Sequence, residues 1–395
     1  MIDRYAVLEI TKEWSEINQY QTWLEIEKVI FFQLQKTGVI PDSPVTLFDH
    51  VLLNLEEIKQ LEIETKHDVV AFIFYVQRQL GEMGRWFHYG LTSSDIVDTG
   101  LAIHTHRSIN ILMQELNRLI IILNDLSIAH NKTPIVGRTH GMHAKQTTFG
   151  HLLRGYHNEL ARNHTRIKIA TGEVTGKISG VLGDTEFLKE SESIILATFN
   201  LTAESDATQI VARDRYAYLI SVLALLASAY ERFATTLRHL SRTEVTEVTE
   251  GFSSLQTGSS AMPHKKNPIA SENICGISRL IRGMLVPAYE NINLWHERDI
   301  SHSSVERIML PNVFHLIIYM TRKIISIVSE LQINTEQMNK NLQLTDNRIK
   351  SEDALLLLIR AGYSREEAYR MVQKSARLSE TKQQDFLTIL EQLED

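Results

Sequence analysis

The sequence predicts an all-α protein, and three observations carry that expectation. Proline and glycine are scarce, 7 and 18 in 395 residues, and Leu101–Thr133, Asp184–Glu250 and Asn312–Ala361 contain neither. A strand-rich chain would need turn residues about every 8–12 positions. Apolar residues also recur at three- and four-residue intervals, the spacing of one helix face. Finally, one such stretch is apolar around much of its girth, as in a helix buried on more than one side.

The stripes can be followed along the chain. Ile109, Leu112, Leu116, Leu119, Leu123 and Leu126 form the first. Leu219, Val222, Leu223, Leu226, Tyr230, Phe233 and Leu237 form the second, and Leu225 widens it. Phe314, Ile317, Ile318, Ile324, Ile325 and Val328 form the third. Rods of about 30 residues would be roughly 45 Å long, which implies a long bundle completed by other subunits. Glycine gathers in Gly81–Gly100, Gly137–Gly155, Gly172–Gly183 and Gly251–Pro268, where backbone must turn or come close to a ligand. Thr92-Ser93-Ser94-Asp95 is suited to capping a long helix, and Leu342–Asp346 is a polar break. These divide the chain into 1–91, 92–341 and 342–395.

Composition narrows the function. Hydrophobic residues make up 43% and charged residues 23%, with a formal charge of −7, so nucleic acid and anionic membranes are poor partners. A single cysteine, Cys275, excludes an intrachain disulfide and a cysteine-rich zinc site. The start, Met1-Ile2-Asp3-Arg4-Tyr5, lacks the layout of a signal peptide. The most apolar stretches, such as Val222–Ala229, stop short of the ~18 residues that span a bilayer. The expected location is the cytoplasm.

Three segments carry chemistry. Gly258-Ser259-Ser260-Ala261-Met262-Pro263-His264-Lys265-Lys266-Asn267-Pro268 reads as a mobile loop with a nucleophile or base and a Lys/Asn pair able to hold a carboxylate. On physical grounds alone a solvated linker explains it equally well. Gly137-Arg138-Thr139-His140-Gly141-Met142-His143 holds a histidine between glycines, placed for close approach to a ligand. A metal shared by His140, His143 and His151 is disfavoured, because no acidic ligand sits beside them at helical spacing. The third is Lys66-His67-Asp68 with His88-Tyr89-Gly90-Leu91-Thr92-Ser93-Ser94-Asp95, whose helix N-termini can both cap and bind anions. In addition, Arg298, Ser303 and Arg307 are donors at i, i+5 and i+9, and arginine suits phosphate. Gly176-Lys177 lacks the flanking residues of a P-loop.

The loop matches the pattern Gly-Ser-Ser-x-x-Pro-x-Lys-x-Asn of the fumarase/aspartase superfamily at all six fixed positions. The His140 segment resembles that superfamily's second region. Lys66–Asp68, His88–Asp95, the N-terminal Arg4-Tyr5 and Trp295–Arg307 resemble the adenylosuccinate lyase family specifically. The resemblance runs from Arg4 to about Leu331, and Lys145-Gln146 departs from the usual Glu-Pro. It implies a three-domain fumarase/aspartase-like fold whose central helix bundle is completed by a homotetramer with shared active sites. The implied reaction is β-elimination of fumarate from small succinylated purine-pathway nucleotides, with no cofactor and no metal.

Residue roles follow from the same resemblance. Ser259 is the expected base, with Ser260 as the alternative, and His140 the acid. Glu272 orients that histidine, and Lys265 meets the charge that develops on the succinyl group. Substrate binding falls to Arg4, Tyr5, Lys66, His67, Asp68, His88, Thr92, Ser93, Thr139, Gln209, Asn267, Arg298, Ser303 and Arg307. An argininosuccinate lyase is the alternative enzyme, but its substrate has no phosphate for Arg298–Arg307. A silent structural bundle is disfavoured by the intact Ser259, Lys265, Asn267 and His140.

Overall fold

A computed structural model describes residues 1–251, 261–262 and 264–394. After a 3-10 turn at Asp3–Tyr5 the chain forms α1 (Leu8–Glu13) and α2 (Glu16–Lys36). Ser15 starts α2 by accepting the Asn18 N–H, which satisfies one of the free donors of a helix N-terminus. Asn54 and His67 do the same for α3 (Leu55–Thr65) and α4 (Asp68–Leu80). The long α5 (Ser93–Ala129) leads into a hairpin of β1 (Pro134–Thr139) and β2 (Met142–Thr148). Then come α6 (Phe149–Gly172), α7 (Glu186–Thr198), α8 (Asp214–Leu240) and a two-residue β3 (Val248–Thr249). Next in order are α9 (Ile269–Gly283), α10 (Leu285–Glu290), α11 (Ser301–Ser329) and β4 (Gln332–Ile333), which pairs antiparallel with β3. The chain finishes with α12 (Thr335–Gln343), α13 (Ser351–Arg360), α14 (Arg365–Lys382) and α15 (Phe386–Glu394).

The apolar stripes are the core. Every stripe residue named above on α8 and α11 except Leu225 is buried, and so are Ile109, Leu112, Leu116, Leu119 and Leu123 on α5. Leu126 is only half-buried, since the 3.6-residue turn has rotated it off the buried face. Leu225 is 51% exposed, so α8 carries apolar surface on its outer side too. The expectation that no segment reaches membrane-spanning length needs correcting. Helices α8 and α11 are long and apolar enough by length and composition. About 67% of each apolar window is buried inside the protein, however, as in core helices.

Two departures from continuous helix have a common cause. The Gly- and Pro-free run from Asp184 breaks between α7 and α8, where Asn200 (φ 57°) and Asp206 (φ 53°) adopt left-handed backbone. The run from Asn312 breaks at Asp346 (φ 47°) and Asn347 (φ 62°). Short polar side chains reach this region more readily than most, so Asn and Asp do the work expected of glycine. A third, separate departure is the β1–β2 hairpin, a small strand pair within the helical fold.

The chain forms two compact units, each built from three separate stretches. The first comprises Met1–Asn117, Arg162–Ser228 and Gly276–Arg322. The second comprises Arg118–Ala161, Ala229–Cys275 and Lys323–Asp395. Within the second, α13–α15 gather a small core of their own from Ala354, Leu358, Ala368, Val372, Phe386 and Leu390.

Candidate active site

The expected site residues divide between the units. Thr139, His140, Lys265, Asn267 and Glu272 lie in the second, and all the other described ones lie in the first. Ser259 and Ser260 lie outside the described residues.

In the second unit, His140 and Gly141 are the two loop residues of the β1–β2 hairpin, with Thr139 opposite Met142. Both have left-handed backbone, φ 54° and 79°. Two-residue hairpins favour this pair of conformations because its twist matches that of the strands. Glycine adopts it freely, and histidine is among the residues that enter it at modest cost. The hairpin thereby holds His140 at an exposed tip. A register irregularity between Val136 and Arg138 precedes the tip. Arg138 donates twice to the buried Glu247, both at 2.8 Å. A cavity of about 410 Å³ opens beside the hairpin, its lining including Arg138, Gly141, His239 and Arg242.

Farther along, Lys265 is exposed, with its N–H bonded to the Met262 carbonyl at 3.0 Å. The Asn267 carbonyl accepts the Ile269 N–H, and Pro268 opens α9 by accepting the Glu272 N–H. Glu272 thus stands in the first turn of α9. Glu250 closes that helix start, accepting from the N–H groups of Ala270 (3.1 Å) and Ser271 (2.8 Å) and from the Ser271 hydroxyl.

In the first unit, α11 is the main scaffold. The Val7 N–H donates to His315 Nδ1 at 3.0 Å, and Tyr5 packs edge-on against Tyr319 at 5.2 Å, which fixes Arg4-Tyr5 on this helix. Arg307, near the start of α11, pairs with Asp68 at 2.5 Å. His67 caps α4, and Lys66 before it is left-handed (φ 55°). Arg298 donates to Gln209 at 3.4 Å and to His302 Nε2 at 3.5 Å. Ser303 lies half-buried in the first turn of α11.

Thr92 and Ser93 begin α5, and Asp95 closes their turn by accepting the Thr92 N–H at 2.7 Å. The other Asp95 oxygen accepts from Lys177 Nζ at 2.6 Å and from the N–H groups of Ser179 and Gly180. Lys177 and Asp95 are fully buried, so this pair pins the Gly176–Gly180 loop to the Thr92-Ser93 turn. In the sequence Lys177 stands out only as a lysine in a glycine-rich segment that lacks the residues of a P-loop.

A larger buried cluster also escaped the sequence. Arg213 grips Asp98 with two bonds (2.6 and 3.0 Å) and Glu306 with two more (2.7 and 3.2 Å). Glu306 also meets His302 Nδ1 at 3.0 Å. Arg213 Nη2 lies against the same ring nitrogen, at 3.1 Å. The cluster therefore holds His302 in the orientation that receives Arg298.

His88 (φ 65°) bonds Glu27 through its ring, and its N–H donates to the same carboxylate at 3.2 Å. Burial pushes the imidazolium pKa down, but the Glu27 carboxylate outweighs it, so His88 titrates above the ordinary value of about 6.5. A raised folded pKa means the stabilisation is fully present below about pH 6.5 and fades as pH rises through the folded value. His88→Gln is therefore expected to lower the urea midpoint most in mildly acidic buffer and progressively less in alkaline buffer. A loss that grows with pH would overturn the ion-pair reading.

The chain matches the Lyase family over residues 9–283. It is 43% identical to an adenylosuccinate lyase of Aquifex aeolicus, over 95% of this chain and 87% of that protein. It is 41% identical to the adenylosuccinate lyase of Thermotoga maritima, over 100% of this chain and 92% of the relative. The chain belongs to the adenylosuccinate lyase family. The similarity extends through the C-terminal helices, beyond Leu331, where the motif resemblance weakens. Within this family the departing Lys145 has found a local partner, Glu352 of α13, at 2.6 Å. The fold is shared more widely. A fumarate lyase from Mesorhizobium sp. BNC1 superposes with a TM-score of 0.87 at 20% identity, covering 99% of this chain and 90% of that one. The 3-carboxy-cis,cis-muconate lactonizing enzyme of Pseudomonas putida superposes with a TM-score of 0.85 at 22% identity, covering 98% and 88%.

Proposed function

We infer that this chain catalyses the adenylosuccinate lyase reaction. The observation that carries the reading is 41–43% identity to two enzymes of that name along nearly the whole chain. The substrates would be adenylosuccinate, giving AMP, and the succinylated aminoimidazole carboxamide ribotide. A base removes a proton from the succinyl carbon beside a carboxylate, the C–N bond breaks on the opposite side, and fumarate leaves. The carbanion-like charge has to be met by donors already in place. We assign the base to Ser259, the acid to His140, and the orientation of His140 to Glu272. Lys265, Asn267, Thr92 and Ser93 would receive the succinyl carboxylates.

The phosphate is assigned to Arg298, Ser303 and Arg307, with Arg4, Tyr5, Lys66, His67, Asp68, His88, Thr139 and Gln209 lining the rest. Arg307 supports this assignment. Its side chain is 60% exposed, so its pair with Asp68 is weakly held and open to exchange for an anion. We propose a cytoplasmic homotetramer, which suits the apolar residues exposed on α8–α10, Leu225 (51%), Leu280 (58%) and Val286 (62%) among them.

The direct test is fumarate release from adenylosuccinate by the purified protein, and its absence would end the reading. Arg307→Ala is expected to raise KM at least tenfold with helical content intact. A charge-assisted bond to an anion contributes about 1.5–3 kcal/mol. An unchanged KM would remove Arg307 from the phosphate site.

A further inference from the structure

The corner at His88 is fixed from both sides. Phe87 before it is buried against Phe48 and Phe72, with ring centroids 6.3 and 5.9 Å away. The Phe87 carbonyl accepts Gln77 Nε2 at 3.3 Å. After the corner, the His88 carbonyl accepts the Leu91 N–H at 3.4 Å. Gly90 passes so close to Phe187 that a Cβ there would stand 2.3 Å from the ring. His88 (φ 65°) and Gly90 (φ 75°) are both left-handed, and the turn they make leads straight into Thr92-Ser93.

Glu27 closes the corner from α2. One oxygen of its carboxylate accepts the His88 backbone N–H, and the other bonds ring Nδ1. A carboxylate can only accept, so Nδ1 carries a proton in this bond. The Glu27 side chain is 2% exposed, and among the described residues His88 is its one ionic partner. A carboxylate taken out of water in this way favours a cation beside it, so the ring holds a proton on Nε2 as well. Burial pushes the ring toward neutrality, but Glu27 outweighs it and Asp95 acts in the same direction as Glu27. Nε2 bonds no described residue, and 13% of the His88 side chain stays exposed. A charged donor is thus left unengaged four residues before Thr92.

We propose that Glu27 is a positioning residue for substrate binding: it fixes the His88 ring and its charge, so that Nε2–H is presented as a cationic donor to an anionic oxygen of the substrate. Glu27 itself is buried and touches no ligand. The proposal rests on the lyase reading, which offers two sources for that oxygen. One is the succinyl carboxylates, which leave in fumarate; the other is the phosphate, which stays in AMP. A neutral ring protonated on Nδ1 has only a lone pair on Nε2, which an anion does not accept. Affinity must therefore follow the charge on His88.

The test measures the Kd of AMP and of fumarate by calorimetry at several pH values on either side of about 6.5, the ordinary histidine value. The full-length parent and Glu27→Gln are compared as a ratio at each pH, which cancels the ligands' own ionisation. Without Glu27, burial acts unopposed and the ring loses its charge at lower pH. The ratio is therefore expected to reach at least about fivefold near neutrality for one of the two products. It should shrink as the buffer is acidified and the variant's ring is protonated too. Whichever product shows the larger ratio carries the oxygen that Nε2 meets. In a His88→Gln background Glu27→Gln should change neither Kd more than about twofold, because the two residues act as one unit. A ratio constant across pH, unchanged affinity for both products, or an equal loss in the His88→Gln background would overturn the proposal. Should Glu27→Gln fail to fold, His88→Gln is compared with the parent instead. The parent's advantage must then fade as pH rises, and one that persists in alkaline buffer overturns the proposal. The ring's charge has its own readout in protein carrying isotope-labelled histidine. The signal missing from His88→Gln should titrate above about 6.5 in the parent and lower in Glu27→Gln. Equal titration would overturn the charge-setting role. A parent that releases no fumarate would instead overturn the lyase reading, and the titration would then decide the role of Glu27 alone.

Discussion

His140→Asn is expected to lower kcat on adenylosuccinate by about 10²–10⁴, the usual contribution of a general acid, while KM stays within a few-fold. The choice of asparagine matters. Position 140 has φ 54° in a two-residue hairpin loop, and asparagine tolerates that conformation as well as histidine does. The hairpin is therefore retained, and Tm and the far-UV spectrum should match the parent. The exposed position argues the same way, since little packing is lost when the ring goes. A kcat within tenfold of the parent would move the acid elsewhere. A large fall in Tm would mean that the ring serves the fold.

Arg213→Met should have the largest effect on stability. The guanidinium is buried and holds Asp98 and Glu306 together through four bonds of 2.6–3.2 Å. Removing it leaves two buried carboxylates without their cation, and breaking a buried pair in this way costs about 3–5 kcal/mol. Burial alone would raise the Asp98 pKa, but Arg213 outweighs it and holds the carboxyl below its ordinary range. A depressed folded pKa gives stability that is present above about pH 4 and lost as pH falls through the folded value. The penalty for Arg213→Met should therefore be greatest near neutrality and shrink in acid, which urea unfolding at several pH values measures. A loss under about 1 kcal/mol at pH 7 would contradict the account. Since the cluster also holds His302 against Arg298, a variant that still folds should show a raised KM.

What the sequence disclosed depended on how far apart the cooperating residues were. The stripes on α5, α8 and α11 were legible because helical neighbours lie three and four positions apart, and burial bears nearly all of them out. The two-residue loop at His140 was in principle readable. Ile135, Val136 and Thr139 on one side and Thr147 and Thr148 on the other are strand-forming residues flanking a His-Gly pair. The glycines drew attention to the place, but the weight of helix elsewhere hid the strands. Asp98, Arg213, His302 and Glu306 had no such signal. Arg213 stands about 90 to 115 positions from each of the other three, and no periodicity links them. The same holds for Asp95 and Lys177, and for Arg138 and Glu247. Ion pairs of this kind are a property of topology, which single-sequence patterns do not contain.

The interleaving of the two units has a consequence for how the chain is made. Neither unit is a contiguous piece, and the first needs the stretch ending at Arg322 before it can close. At ribosomal rates of ~5–20 residues per second, roughly 15 to 65 seconds pass before that stretch exists. Before it ends α5 and α8 are complete, but their apolar faces lack part of their eventual cover. Nascent chains should therefore be held by chaperones late in translation, and truncations that stop before α11 should aggregate rather than accumulate as stable fragments.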